Sequence, residues 1–79
     1  MTVTVLLFAS YAESLGTSSL TLDLPEGSLV EDALSRVRAR SESALPPKPL
    51  VAVNQVYARV TDGLRTGDEL AIIPPVAGG

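Results

Sequence analysis

The chain's punctuation leaves room for one long helix. From Ser28 to about Arg40 neither proline nor glycine intervenes, and Leu29, Ala33, Leu34 and Val37 recur at the helical period. Arg36, Arg38 and Arg40 fall largely outside that apolar face, and near a helix C-terminus they suit the macrodipole. Ser28 and Glu31 have capping-box spacing at its start. Elsewhere the apolar residues come in short runs cut by turns. Thr2 to Phe8 is β-branched and partly alternating, a strand buried mainly on one face. Ser10 and Glu13, again at capping-box spacing, and Gly16 as a terminator frame one to two turns of helix. Leu20, Leu22 and Leu24 alternate strictly, the signature of a half-buried strand, and Pro25-Glu26-Gly27 ends it. Ser41 to Pro49 carries three prolines and reads as a loop. Leu50 to Val53 is wholly apolar, as in a central strand. Asn54-Gln55 is a turn before a short partner strand, Val56 to Arg59. After turn signals at Asp62-Gly63 and Thr66-Gly67-Asp68, Glu69 to Ile73 forms the last strand. Short strands with one long helix to cover a sheet face make an α+β layer architecture.

Composition narrows the function. At 79 residues the chain is a single domain, 1–79, without internal repeats. A fold of this size buries only about 60% of its unfolded surface, so its stability margin is small. There is no cysteine and no histidine. Disulfides, thiolate metal sites, a catalytic thiol and the usual general base are therefore absent. A net charge of -3, with no basic run, argues against nucleic acid and favours a basic protein partner. No stretch approaches the roughly 20 apolar residues of a membrane span. No basic segment followed by an apolar core opens the chain, which points to the cytoplasm.

The closing residues carry the functional signal. Pro74 and Pro75 cannot continue a central ladder, and paired prolines favour a stiff extended spacer. Residues 73–79 therefore read as an extended tail. Val76 to Gly79 reach at most roughly 13–14 Å. Gly78 and Gly79 lack side chains and can thread a channel too narrow for any other residue. Glycine pairs also end many ordinary mobile termini. Here they follow an apolar strand and a stiff spacer, a pattern suited to delivery into another protein's active site.

Three stretches resemble the β-grasp sulfur carriers of the molybdopterin synthase small-subunit type. Phe8-Ala9 with Glu13 and Gly16 is similar to that family's Phe-Ala…Glu…Gly segment after the first strand. Val51-Ala52-Val53-Asn54 is similar to its central strand and turn. The specific stretch is Leu64 followed by Gly67-Asp68-Glu69-Leu70-Ala71-Ile72-Ile73-Pro74-Pro75-Val76-Ala77-Gly78-Gly79. Ala12 stands where the family often has arginine, and Ala77 where it commonly has serine. The resemblance implies a ubiquitin-like β-grasp: a mixed four- to five-stranded sheet, one main covering helix and an extended Gly-Gly tail. It implies that Gly79 is adenylated and converted to a thiocarboxylate that donates sulfur to cyclic pyranopterin monophosphate. Pro75, Val76, Ala77 and Gly78 then enter the partner's active site. The implied partners are the large catalytic subunit of molybdopterin synthase, an ATP-dependent adenylating enzyme, and a sulfur donor such as a cysteine desulfurase or rhodanese. ATP belongs to the activating enzyme; the chain itself binds no cofactor or metal and is not catalytic alone. The alternatives are a carrier for thiamine or tRNA thiolation and a ubiquitin-like modifier conjugated through Gly79.

A tail of this kind needs an apolar docking surface at its root, for which Phe8, Leu64 and Val76 are candidates. Phe8 and Leu64 fit the ordinary core equally well. Glu69 and Asp68 fit pairing with partner arginines, or simply the start of a strand, and Asp68 reads better as a turn residue.

Overall fold

A computed structural model describes residues 1–41 and 45–75. Its elements are β1 (Thr2–Leu7), α1 (Ala9–Leu15), β2 (Ser19–Asp23), α2 (Val30–Arg38), β3 (Leu50–Val53), β4 (Val56–Ala58) and β5 (Glu69–Ile73). The strands form one sheet of order β2-β1-β5-β3-β4. β1 and β5 run parallel, and every other neighbouring pair is antiparallel. This is the mixed β-grasp sheet that the resemblance implies, with all five strands present. Among the described residues no helix is long and apolar enough to cross a membrane.

Alternation along the strands decides which face is covered. Val3, Val5 and Leu7 of β1, Leu70 and Ile72 of β5, and Val51 of β3 point to the side where α2 lies. There they pack with Val30, Ala33, Leu34 and Val37. The helix therefore buries one stripe, and each fully buried Val, Leu or Ile contributes about 1.5–3 kcal/mol. Leu64, Leu45, Leu22 and Leu24 close the edges of this core.

The helix starts differ from the capping-box reading. The Ser28 hydroxyl donates to the Pro25 carbonyl (2.7 Å), so it finishes the turn and does not cap the helix. Leu29 occupies the cap, and its N–H donates to Asp32 Oδ2 (2.7 Å). The remaining open donors of the first turn find the loop before β5. Val30 N–H donates to Asp62 O and Glu31 N–H to Val60 O, each at 2.9 Å. Tertiary carbonyls thus do the work that a local serine was expected to do. The regular helix ends at Arg38, two residues before the expected Arg40. In α1 the cap is Phe8, without a side-chain bond, and Ser10 lies inside the helix. Gly16, at φ 74°, ends α1 in the left-handed conformation expected of it.

Candidate functional site

The face of the sheet opposite α2 is apolar at one end only. Continuing inward–outward alternation, Leu6 and Phe8, Ala71 and Ile73, Leu50 and Ala52 alternate away from the core. The register aligns them across the sheet. Tyr57 pairs with Ala52, Ala52 with Ala71, and Ala71 lies in register with Leu6. One step along, Leu50 pairs with Ile73. The two alanines are short, so the middle of this surface is hollow between taller neighbours. An open groove of about 580 Å³ results, lined by Phe8, Ala52, Gln55, Tyr57, Ala71, Ile73 and Pro74. Phe8 is 46% exposed and Tyr57 73% exposed. Large apolar side chains left this open beside one another mark a surface made for another molecule.

The groove sits where β5 leaves the sheet. β5 is paired on both sides, by β1 and β3, up to Ile72 and Ile73. Pro74 then lines the groove and Pro75 is exposed beyond it. Neither proline offers an N–H, so neither neighbouring strand can extend its ladder onto them. A central strand with this ending holds the start of the tail against a rigid sheet, which fixes the place from which the tail departs. Val76, Ala77, Gly78 and Gly79 lie outside the described residues.

The other expected site residues separate. Leu64 is only 4% exposed and belongs to the core under α2, the ordinary placement that its residue type also allowed. Glu69 opens β5 opposite Thr4, at the far end of the strand from the groove. Its backbone is clamped by Asn54: Glu69 N–H donates to Asn54 Oδ1 (3.0 Å), and Asn54 N–H donates to Glu69 O (2.8 Å). Asp68 is a turn residue. Its Oδ2 accepts from Arg65 N–H (2.8 Å) and its Oδ1 from Asn54 Nδ2 (2.9 Å). Asn54 thereby ties the β3–β4 turn to the beginning of β5. Sequence reasoning missed Ala52, Ala71, Gln55, Tyr57 and Ile73 as groove residues. The one usable signal was an exposed aromatic in a three-residue strand; the alanine hollow exists only once the register is known.

A protein-family model, the ThiS family, matches residues 5–79. The chain belongs to the ThiS family. Over 83 residues it is 37% identical to the molybdopterin synthase sulfur carrier subunit of Chlamydomonas reinhardtii, covering 100% of both chains. In structure it is similar to SAMP1 from Haloferax volcanii, with a TM-score of 0.85 at 28% identity over 100% of both chains. It is also similar to a chain in the complex of subunits 1 and 2 of the molybdopterin-converting factor from Helicobacter pylori, with a TM-score of 0.68 over 100% of both chains. At 20% identity that last likeness is one of fold. This ThiS-family chain thus shares the full length of its carrier-named relative, tail included.

Proposed function

We infer that this chain is the sulfur carrier of molybdenum cofactor synthesis, working through its C-terminal glycine. The observation that carries the reading is the exit of a doubly paired central strand through Pro74-Pro75 toward Gly78-Gly79, beside an apolar groove. The relative matched over its whole length bears the name of a molybdopterin synthase sulfur carrier subunit.

The chemistry follows from what a carboxylate lacks. It is a poor electrophile, so an adenylating enzyme joins Gly79 to the AMP moiety of ATP and releases pyrophosphate. The terminal sulfur of a persulfide, carried by a donor such as a cysteine desulfurase or rhodanese, attacks the acyl carbon and AMP leaves, giving an acyl disulfide. A second thiol then attacks the donor's sulfur, breaks that S–S bond and forms a disulfide with the donor. The product is a thiocarboxylate at Gly79. Inside the large subunit of molybdopterin synthase that sulfur passes to cyclic pyranopterin monophosphate. Because the sulfur rides on the main-chain end, the carrier needs no cysteine, histidine or metal of its own. Gly78 and Gly79 let two different enzymes close around bare backbone. Phe8 and the groove at the tail root provide the apolar docking area, and Pro74 and Pro75 lower the ordering cost of insertion.

Deleting Gly79 tests this directly. The shortened chain is expected to keep its fold and its binding to the large subunit while losing sulfur transfer completely. Retained transfer would sink the reading. The likeness to SAMP1 raises a second one, conjugation of Gly79 to lysines. Isopeptide-linked Gly79 on other proteins in cell extracts is the observation that would favour it.

A further inference from the structure

Among the described residues, three other than glycine take a positive φ: Ala9 (47°), Asn54 (50°) and Gln55 (70°). An L-residue there brings its Cβ against the following carbonyl, and the strain persists only where the surrounding structure imposes it. All three stand at the groove. Gln55 lines it and Asn54 precedes Gln55, while Ala9 follows Phe8, which lines the other side. The sheet order puts β1 and the β3–β4 hairpin on opposite flanks of β5, so the groove runs between two strained corners.

The hairpin corner is explained by its turn type, which demands such angles. The Ala9 corner has a different origin. Leu7 ends β1 in the core, and Tyr11 is buried in the same core. Between these anchors the chain must change from strand to helix within Phe8, Ala9 and Ser10, all exposed. Phe8 is still extended (φ −127°, ψ 153°), and its carbonyl accepts from Tyr11 N–H (3.0 Å) and Ala12 N–H (3.4 Å). It holds the cap position without a side-chain bond, where Ser, Thr, Asp or Asn is preferred. Alanine then takes an angle that glycine would adopt freely. Two neighbouring residues thus break local preference, and the result they share is the Phe8 ring standing at the groove. Local rules give way in this manner at functional sites.

We propose that Ala9 is a positioning residue of the docking surface. Its left-handed backbone turns α1 back toward the core directly after Phe8 and so holds the Phe8 ring at the groove before the large subunit arrives. An anchor already in its bound place gives up less freedom on docking. This deepens the carrier reading above and rests on it.

The test is the affinity for recombinant large subunit of molybdopterin synthase, titrated well below the melting temperature of each variant. Ala9→Gly keeps the angle without strain, so it is expected to raise the melting temperature by a few degrees and to hold affinity within about twofold. Ala9→Val brings a β-branched residue that the angle excludes, and it is expected to weaken binding about tenfold. In a Phe8→Ala background the same Ala9→Val change is expected to cost nothing further, because it acts through the ring. Equal loss with and without the ring would overturn the positioning role, as would a lower melting temperature for Ala9→Gly. If Ala9→Val does not fold, the Phe8 side-chain couplings of the free parent decide by NMR: one rotamer is expected, and averaging over several would overturn the proposal. Parent chain that binds and delivers sulfur while Ala9→Val binds equally well would overturn the positioning role and leave the carrier reading standing. Parent chain that neither binds the large subunit nor becomes a thiocarboxylate would overturn both.

Discussion

Gln55 holds a φ of 70° beside Asn54 at 50°, the pair of positive angles that a two-residue turn of the mirror-image type demands. Asparagine tolerates that region, glutamine less well, and an L-residue there costs roughly 1–2 kcal/mol. Gln55→Gly is therefore expected to stabilise the fold by about 0.5–1 kcal/mol, the gain reduced by glycine's freedom in the unfolded chain. In a domain of this size that is a rise in Tm of about 2–8 °C, read in a thermal melt. The same residue lines the groove, so this variant changes the groove wall together with the stability. Ala71 offers the converse experiment. Its Cβ faces the hollow and not the core, so Ala71→Leu is expected to keep the melting temperature within a few degrees. By occupying the hollow it should weaken large-subunit binding by tenfold or more, about 1.4 kcal/mol. Unchanged affinity in a titration would remove the groove from the docking surface.

Among the elements, α2 and β5 set the architecture, and they differed in how openly the sequence displayed them. β5 was legible from end to end, because Glu69 to Ile73 is framed by a Gly-Asp turn and by two prolines that no ladder accepts. The stripe of α2 was legible too, at Ala33, Leu34 and Val37. Its start was not. A serine followed by a glutamate looks like a cap, but the real donors at Val30 and Glu31 are satisfied by the 60–62 loop, and no local pattern encodes that contact. Val30 entered the core for the same reason, and Leu29 was displaced to the cap. Asp32→Ala, which removes the acceptor for Leu29 N–H, is expected to cost about 0.5–2 kcal/mol in chemical denaturation. Ser28→Ala leaves the cap intact and should cost less. The groove was hidden more deeply. Leu50 to Val53 is apolar on both faces, and nothing in its composition says that Ala52 will meet Ala71 and Tyr57. Only strand register, a long-range property, brings the small residues together.

At the scale of the molecule, stability and function occupy opposite faces of one sheet. The side under α2 holds Leu70 and Ile72 fully buried, and Leu70→Ala there is expected to cost about 2–5 kcal/mol. Against a total of about 5–15 kcal/mol for an ordinary domain, that would leave a small fold close to unfolding at body temperature. The other side holds the groove, and the tail leaves from the strand the two faces share. Truncation after Pro75 is accordingly expected to leave denaturation curves unchanged within about 0.5 kcal/mol, since the pairing of β5 ends at Ile73 and the two prolines carry no ladder further. It should abolish charging altogether. The measurement that tests the central claim most directly is the intact mass of the chain through one transfer cycle. It would be charged with its adenylating enzyme, ATP and a sulfur source, then given the large subunit and cyclic pyranopterin monophosphate. The carrier account predicts one oxygen replaced by one sulfur at Gly79, and loss of that sulfur only when subunit and precursor are both present. A chain that charges and keeps its sulfur in their presence, or that never charges with a competent enzyme, would contradict it.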